Sequence, residues 1–360
     1  MESLNKQKIE LFLNIYIKPL FKSKLLSFAL FITVLILIIT IPLTIFMLSK
    51  QSQIKTHADQ FSSTQVSDLV TPSQNFLPTN SSSSTTMTDG ATPLSTNTPI
   101  TVSPGPIYYG AYSKAYNPDP VTLSQFETDA GKKVAIDHIG YYSWNKKAVF
   151  PVSKMNNARA HGSIPMITWT SDAAKLADIT SGRYDSYITS FAQEAKNWGH
   201  PFFLRFDYDM NTNWPLWSET GKNGNGAGQF VPMWQHVHNI FTSVGSSNVT
   251  WVWCSGSENN GRRITDQYPG DSYVDWVCMD GANSYAGTNK WLTFSKIFSS
   301  TYADLTIHVA PSKSLMIGTF SSSEDYNNST RKAEWFTDAF TQIPQTFPHI
   351  KALVLLNSYQ

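Results

Sequence analysis

Within nine positions, from Arg205 to Asn213, the chain crowds Arg205, Asp207, Asp209, Asn211 and Asn213, and Trp214 and Trp217 follow at once. Carboxyl groups can pass protons to and from a glycosidic oxygen, a guanidinium and amides can hold sugar hydroxyls, and indole rings can cover the apolar faces of pyranoses. The set supports the binding and cleavage of a sugar chain. The plainer alternative is a polar loop behind a core strand, with two tryptophans that only pack.

The residues just before this cluster decide where it must sit. Phe202 to Asp207 is a short apolar and aromatic run, the pattern of a buried parallel strand. Similar runs occur at IYYGAYS, VAIDHIGYY, IPMITW, VTWVWC, VDWVCMD, LMIGTF and ALVLLN, making eight with FFLRFDYD. Amphipathic helical segments lie between several of them, at Tyr184 to Trp198 and Gln229 to Val244. Eight strands alternating with helices predict an α/β fold of the (β/α)8 TIM-barrel type, with its chemistry on the loops after the strands. An open doubly wound sheet is the main alternative, and no glycine-rich nucleotide loop follows any strand to support its cofactor-binding form.

Other residues at strand ends carry two readings each. Asp280 closes the sixth run and, with Tyr285, is expected to shape a cleft wall, although Asp-Gly is also ordinary turn chemistry. Asn211 either binds a sugar hydroxyl or caps a turn. Trp144, Trp169, Trp214 and Trp253 are either sugar platforms or core. His236 and His238 are two apart on a helical segment, cannot share a face, and receive no role.

Composition narrows the partners. A formal net charge of +1 leaves no broad basic field for nucleic acid. Aromatic residues at 13% suit a sugar cleft and suit an aromatic core equally. The two cysteines, Cys254 and Cys278, lie in apolar runs and predict buried packing residues rather than a bridge or a metal site. No cofactor and no metal are expected.

The amino end reads as a membrane tether. Residues 1–24 carry Lys6, Lys8, Lys18, Lys22 and Lys24, and residues 25–48 form an uncharged run long enough to cross a bilayer. The lysine bias predicts a cytoplasmic amino end and an extracellular remainder, in a single-pass arrangement. Residues 49–105 are rich in Ser, Thr and Pro, have too little apolar content to fold, and read as a linker. The barrel is expected over residues 106–360. Asn-x-Ser/Thr sequons stand at Asn80, Asn248, Asn327 and Asn328. No helical segment follows KALVLLN, so apolar surface beside the first and eighth strands is expected to lie open unless further chain covers it.

The stretch from Arg205 through Tyr208, Asp209, Met210, Asn211 and Thr212 to Trp214 resembles the Arg-x-x-His-Glu-Met-Asn-Gly-x-Trp signature of glycoside hydrolase family 26, the β-mannanase family. GAYSKAY, GKKVAIDHIGYYSW, HGSIPMITW, NVTWVW, YPGDSYVDWVCMDG and MIGTFSSSED resemble further landmarks of that family in their usual order. The resemblance implies a retaining glycosidase with two catalytic carboxyl groups, at the ends of the fourth and seventh strands, and β-linked polysaccharide or oligosaccharide of mannan type as the partner. It puts Tyr208 at the family's His, Asp209 at the acid/base Glu, Thr319 at the nucleophile Glu, and His138 at a position lining the cleft. Leu355 stands where the family usually has an aromatic residue.

Both substitutions matter chemically. Aspartate is one methylene shorter than glutamate, and a retraction of about 1 Å can cost roughly a hundredfold in rate. A threonine hydroxyl with no evident base cannot replace a nucleophilic carboxylate. Glu324 is the next carboxylate after Thr319, though it also fits the start of a helix. Two functions therefore compete: a membrane-tethered retaining β-glycanase, and a pseudoenzyme that binds β-linked glycan without cutting it. The paired changes at Asp209 and Thr319 favour the second.

Overall fold

The computed structural model describes residues 100, 107–112, 123–172, 174–220, 223–257, 262–283, 290–325 and 327–356. The expected membrane run at 25–48, and most of the expected linker, lie outside them. No helix among the described residues is long and apolar enough to cross a membrane.

Eight strands follow one another in the order β1 (Tyr108–Tyr112), β2 (Ile136–Ser143), β3 (Ile164–Thr170), β4 (Phe202–Phe206), β5 (Val249–Gly256), β6 (Trp276–Asn283), β7 (Ser314–Ser322) and β8 (Ile350–Leu356). Each pairs in parallel with the next, and β8 pairs with β1 to close the barrel. Among the described residues seven α-helices lie between them: α1 (Leu123–Ala130), α2 (Val152–His161), α3 (Leu176–Thr180), α4 (Asp185–Trp198), α5 (Phe230–Val244), α6 (Phe294–Ala303) and α7 (Arg331–Thr346), with α3 and α4 both between β3 and β4. The closed sheet decides between the two architectures that the strand count left open.

Strand periodicity divides each run between two cores. Inward residues Ile136, Met166, Phe203, Val252, Cys254, Trp276, Cys278, Met316, Ala352 and Val354 fill the barrel. Outward residues such as Ile167, Trp169, Leu204, Phe206, Trp251, Trp253, Val277 and Ile317 meet the helices in a second, larger cluster. Two positions along from Phe203 and Met166 come Arg205 and Thr168, both wholly buried. The same alternation that builds the apolar floor therefore raises a polar layer above it, at the carboxyl ends of the strands.

Two expectations need correction. Cys254 and Cys278 are buried, but they form a disulfide rather than packing as free thiols. They are register partners on β5 and β6, a juxtaposition created by strand order and invisible in their separation along the chain. The seam between β8 and β1 is also not left open: Leu353 is 2% exposed, and Tyr109 and Ala111 are buried beside Phe126 of α1.

Ile100, within the stretch read as linker, is held against the barrel floor. Its N–H donates to Thr250 Oγ1 at 2.8 Å, its carbonyl accepts from the Trp276 indole at 3.0 Å, and its side chain packs on the interior cluster. A domain beginning at Thr98 is thus expected to be about 1–2 kcal/mol more stable than one beginning at Pro106, because the shorter form loses these bonds and this burial. Urea unfolding of the two forms checks this, and equal midpoints would show that Ile100 adds nothing.

Candidate active site

Arg205, one residue before the end of β4, is the hub of the polar layer. Its Nε donates to Thr168 Oγ1 at 2.9 Å, and Nη1 donates to Asp280 Oδ1 and Oδ2 at 3.0 and 2.8 Å. Nη1 also reaches Thr319 Oγ1 at 3.1 Å, and Nη2 donates to the Tyr141 hydroxyl at 3.2 Å. Thr319 is the register partner of Asp280 across the β6–β7 pairing. A buried ion pair needs this degree of hydrogen-bonding to offset its desolvation. Burial alone would pull the guanidinium pKa down, but Asp280, then Tyr141, Tyr208 and Asp209, more than reverse this and hold it above its ordinary value. Burial pushes the Asp280 carboxyl up, against the opposing pull of Arg205 and Thr319.

Gly318 leaves room for this network. A Cβ there would lie 2.6 Å from Cys278 Sγ, 2.8 Å from Asp280 Oδ1 and 3.1 Å from Arg205 Nη1. Any larger residue would have to displace the ion pair or the disulfide.

Beyond Phe206 the chain turns sharply, with Asp207 at φ 39° and Asp209 at φ 56°, a left-handed region that Asp and Asn occupy more readily than most residues. Asp209 donates its N–H to the Cys254 carbonyl at 2.8 Å. Its carboxyl lies against the end of β5, where a Cβ on Gly256 would come within 3.2 Å of Oδ1. Asp209 and Thr319 thus both border Arg205, one through its charge and one through a hydrogen bond.

Asp207 is separate from this set. It is wholly buried and accepts from the Ser171 N–H and hydroxyl, each at 2.7 Å. Burial pushes its carboxyl up to about 8 despite those two bonds. Because the folded value exceeds the ordinary carboxylate value of about 4, the native state favours the proton, and stability is fully present below pH 4 and lost as pH rises through 8. Asp207→Asn is expected to remove a loss on the order of 5 kcal/mol across that window. Thermal melts of both proteins between pH 4 and 9 check this, and parallel curves would overturn it.

Aromatic side chains rim the hub. Tyr208 lies 4.5 Å from the Arg205 guanidinium carbon and Tyr141 5.7 Å, both as ring-face contacts. Tyr208 packs on Trp214 and Trp217 at 5.6 Å each, and Trp217 donates its indole N–H to the Tyr208 carbonyl. Trp217 is buried, while Trp214 is 50% and Tyr141 42% exposed. These two present aromatic surface to solvent on either side of Tyr208, whose ring both of them meet.

Several expected site residues sit elsewhere. Trp144 and Trp169 are core, not platforms: they pack on each other and on Phe206, behind the strands. Trp253 is equally buried. Asn211 is a structural residue, because its amide donates to the Gly256 carbonyl and accepts from the Gly256 N–H, tying the β4 loop to β5. His138 lies in the polar layer, 2% exposed, with Nε2 2.9 Å from Thr168 Oγ1 and its ring against Tyr112 and Tyr141. Tyr285 lies outside the described residues. Glu324 is exposed and paired with Lys332, and His236 pairs with Asp185 across two helices.

Tyr141 and Thr168 were missed. Both stand in quoted runs, but inward placement at a strand end depends on register, and a bulge after His138 shifts the register of β2. Counting alternation through that bulge assigns Tyr141 to the wrong face.

The family described as glycosyl hydrolase family 26 matches residues 147–345. Endoglucanase H of Acetivibrio thermocellus is 30% identical over 243 residues, covering 66% of this chain and 26% of that protein. Mannan endo-1,4-beta-mannosidase of Bacillus subtilis strain 168 is 28% identical over 124 residues, 32% of this chain and 34% of that protein. The chain thus spans about a quarter to a third of the curated relatives it matches. Among solved structures, a Cellulomonas fimi endo-beta-1,4-mannanase double mutant aligns with TM-score 0.54 at 16% identity, covering 70% of this chain and 66% of that one. The catalytic domain of a Bacillus sp. JAMB-750 endo-beta-1,4-mannanase aligns with TM-score 0.54 at 15% identity, covering 69% and 76%. At such identity the structural likeness speaks for the barrel alone. The match to the family over more than half of the sequence carries the assignment: the chain belongs to glycosyl hydrolase family 26.

Proposed function

We propose that this domain binds a β-linked, mannan-type glycan across Trp214 and Tyr141 and does not hydrolyse it. The supporting observation is the state of the carboxylates. A retaining glycosidase needs two carboxyl groups about 5–5.5 Å apart, one of them free to attack. At the position the resemblance gives to the nucleophile, Thr319 offers a hydroxyl already engaged by Arg205. The carboxylates that follow on the β7 loop turn elsewhere, Glu324 to Lys332 and Asp325 to Arg331. Asp280 is the acid beside Thr319, and the Arg205 guanidinium takes both of its oxygens. Asp209 remains as a proton donor without a nucleophile.

The reading includes a tether: residues 25–48 as a single membrane span, residues 49–105 as a linker, and the barrel outside the cell. It rests on the apolar run and the lysine bias before it. Carbonate extraction and protease protection of intact cells test it, and a chain released by carbonate would overturn it.

Trp214→Ala is expected to weaken binding of β-1,4-linked mannohexaose about tenfold, the worth of one stacked aromatic contact, without lowering stability, since the ring is half exposed. Titration calorimetry on wild type and variant reads the affinity, while a parallel reducing-end assay reads cleavage. Unchanged affinity sinks the platform, and steady release of reducing ends by the wild type sinks the non-hydrolytic reading.

A further inference from the structure

The sulfurs of the Cys254–Cys278 disulfide lie directly beneath the Arg205 hub, and neither binding nor cleavage of a glycan calls on them. Cys254 Sγ is 3.2 Å and Cys278 Sγ 3.8 Å from Oδ1 of Asp280, the oxygen that also accepts from Arg205 at 3.0 Å. Both cysteines are wholly buried. On the β7 side, a methyl group on Gly318 would come within 2.6 Å of Cys278 Sγ and 2.8 Å of Asp280 Oδ1. Sulfurs, carboxylate and guanidinium therefore share one layer in mutual contact.

We propose that the disulfide sets the glycan site: the oxidised chain holds Asp280 where Arg205, Thr319 and Tyr141 align, and the dithiol chain does not. The inference rests on the glycan-binding reading above. In forming the bond, one cysteine thiolate attacks an external low-molecular-weight disulfide, giving a mixed disulfide and one released thiol. The second cysteine thiolate then attacks the protein sulfur of that mixed disulfide, expels the second thiol and closes Cys254–Cys278. Two electrons and two protons pass from the cysteine pair to the external disulfide.

Reduction has two consequences for Asp280. Unbonded sulfurs need a van der Waals separation of roughly 3.5–4 Å, and Asp280 Oδ1, already 3.2 and 3.8 Å from the two sulfurs, is the polar group that their separation crowds. The Cys254 S–H also becomes a donor aimed at Oδ1 and competes with Arg205 for it. Both effects draw the carboxylate off the guanidinium that orients Thr319 and Tyr141. Because the sulfurs are buried, exchange requires the chain to open, and the redox state reports the compartment in which the chain folded.

The test uses the full chain, folded under oxidising conditions and, separately, under dithiothreitol. Thiol titration in denaturant is expected to find none in the first and both in the second. The oxidised protein is expected to bind mannohexaose about tenfold more tightly, a coupling of ordinary size. Cys254→Ala with Cys278→Ala, which removes both the crowding and the S–H donor, is expected to stay within about threefold of the oxidised protein. Equal affinity of the oxidised and reduced chains overturns the proposal, as do free thiols in the oxidised preparation. If the reduced chain does not fold, Cys254→Ser with Cys278→Ala restores one donor against Asp280 and is expected to bind about tenfold more weakly than the double alanine variant. Equal affinity of those two variants overturns the proposal as well. If the oxidised protein binds no mannohexaose, the glycan-binding reading has failed, and the near-ultraviolet circular dichroism of the tyrosines around Arg205 decides the rest. A spectrum that changes on reduction but not in the double alanine variant supports the coupling, and identical spectra overturn it.

Discussion

Arg205→Ala is expected to destabilise the domain by about 3–5 kcal/mol, the usual consequence of stranding one partner of a buried ion pair. Arg205 is wholly buried and Asp280 is 5% exposed, so water cannot replace the lost guanidinium. The deletion also strips a donor from Thr168, Thr319 and Tyr141 at once. Left without a cation, Asp280 is expected to take up a proton, since burial already pushes its carboxyl up. The variant should therefore lose further stability as pH rises above the ordinary carboxylate range, because the native state then has to give up that proton. Arg205→Met combined with Asp280→Leu is expected to cost less than either change alone, since it removes both charges and fills the space with apolar groups. Urea unfolding across the double-mutant cycle provides the check. Additive losses, or a cost for Arg205→Ala below about 1 kcal/mol, would show that the pair is not the organising contact of the layer.

The barrel was legible because short apolar runs alternating with amphipathic helices have few ways to bury both faces. Arg205 and Asp280 were legible from their places at the polar ends of apolar runs, Asp209 and Thr319 from the family resemblance, and closing the barrel gathers all four at the carboxyl ends of the strands. What was not legible depends on register. The Cys254–Cys278 bond requires β5 and β6 to pair with those two residues opposite, which spacing along the chain does not encode. Tyr141 reaches Arg205 only through the bulge in β2. Trp144 and Trp169 have the composition of sugar platforms, yet Trp169 points outward from β3 into the helix layer, and Trp144, in the turn after β2, packs on it. An aromatic residue looks the same in sequence on either side of a strand. Asn211 was drawn into the structure by its neighbours: only the approach of Gly256 shows that both ends of its amide are committed.

Thr319→Glu together with Asp209→Glu is expected to raise the rate of reducing-end release from β-mannan at least about a hundredfold above that of the wild type, which on the proposed reading binds without cutting. Thr319 stands beside Asp280 in the β6–β7 pairing, and its hydroxyl lies 3.1 Å from the Arg205 guanidinium, so a carboxylate introduced there has a cation within reach. Two carboxylates would then share one guanidinium, and their mutual repulsion raises at least one of their pKa values. The gain is therefore expected to appear above about pH 6, where the new nucleophile is ionised, and to fade in acid. Lengthening Asp209 returns the proton donor toward the glycosidic oxygen, at a backbone cost of about 1–2 kcal/mol for glutamate in the left-handed region. Neither single change should suffice, because donor and nucleophile act as one unit and their effects are strongly non-additive. The decisive measurement follows reducing ends from mannohexaose with wild type, both single variants and the double variant, with binding heats taken in parallel. Activity in the wild type that disappears in Asp209→Ala would restore the hydrolase reading and require another carboxylate, Asp280 or Glu324, to do what Thr319 cannot. A double variant that binds mannohexaose as the wild type does, yet releases no reducing ends at any pH, would mean that Thr319 and Asp209 do not occupy the two catalytic positions.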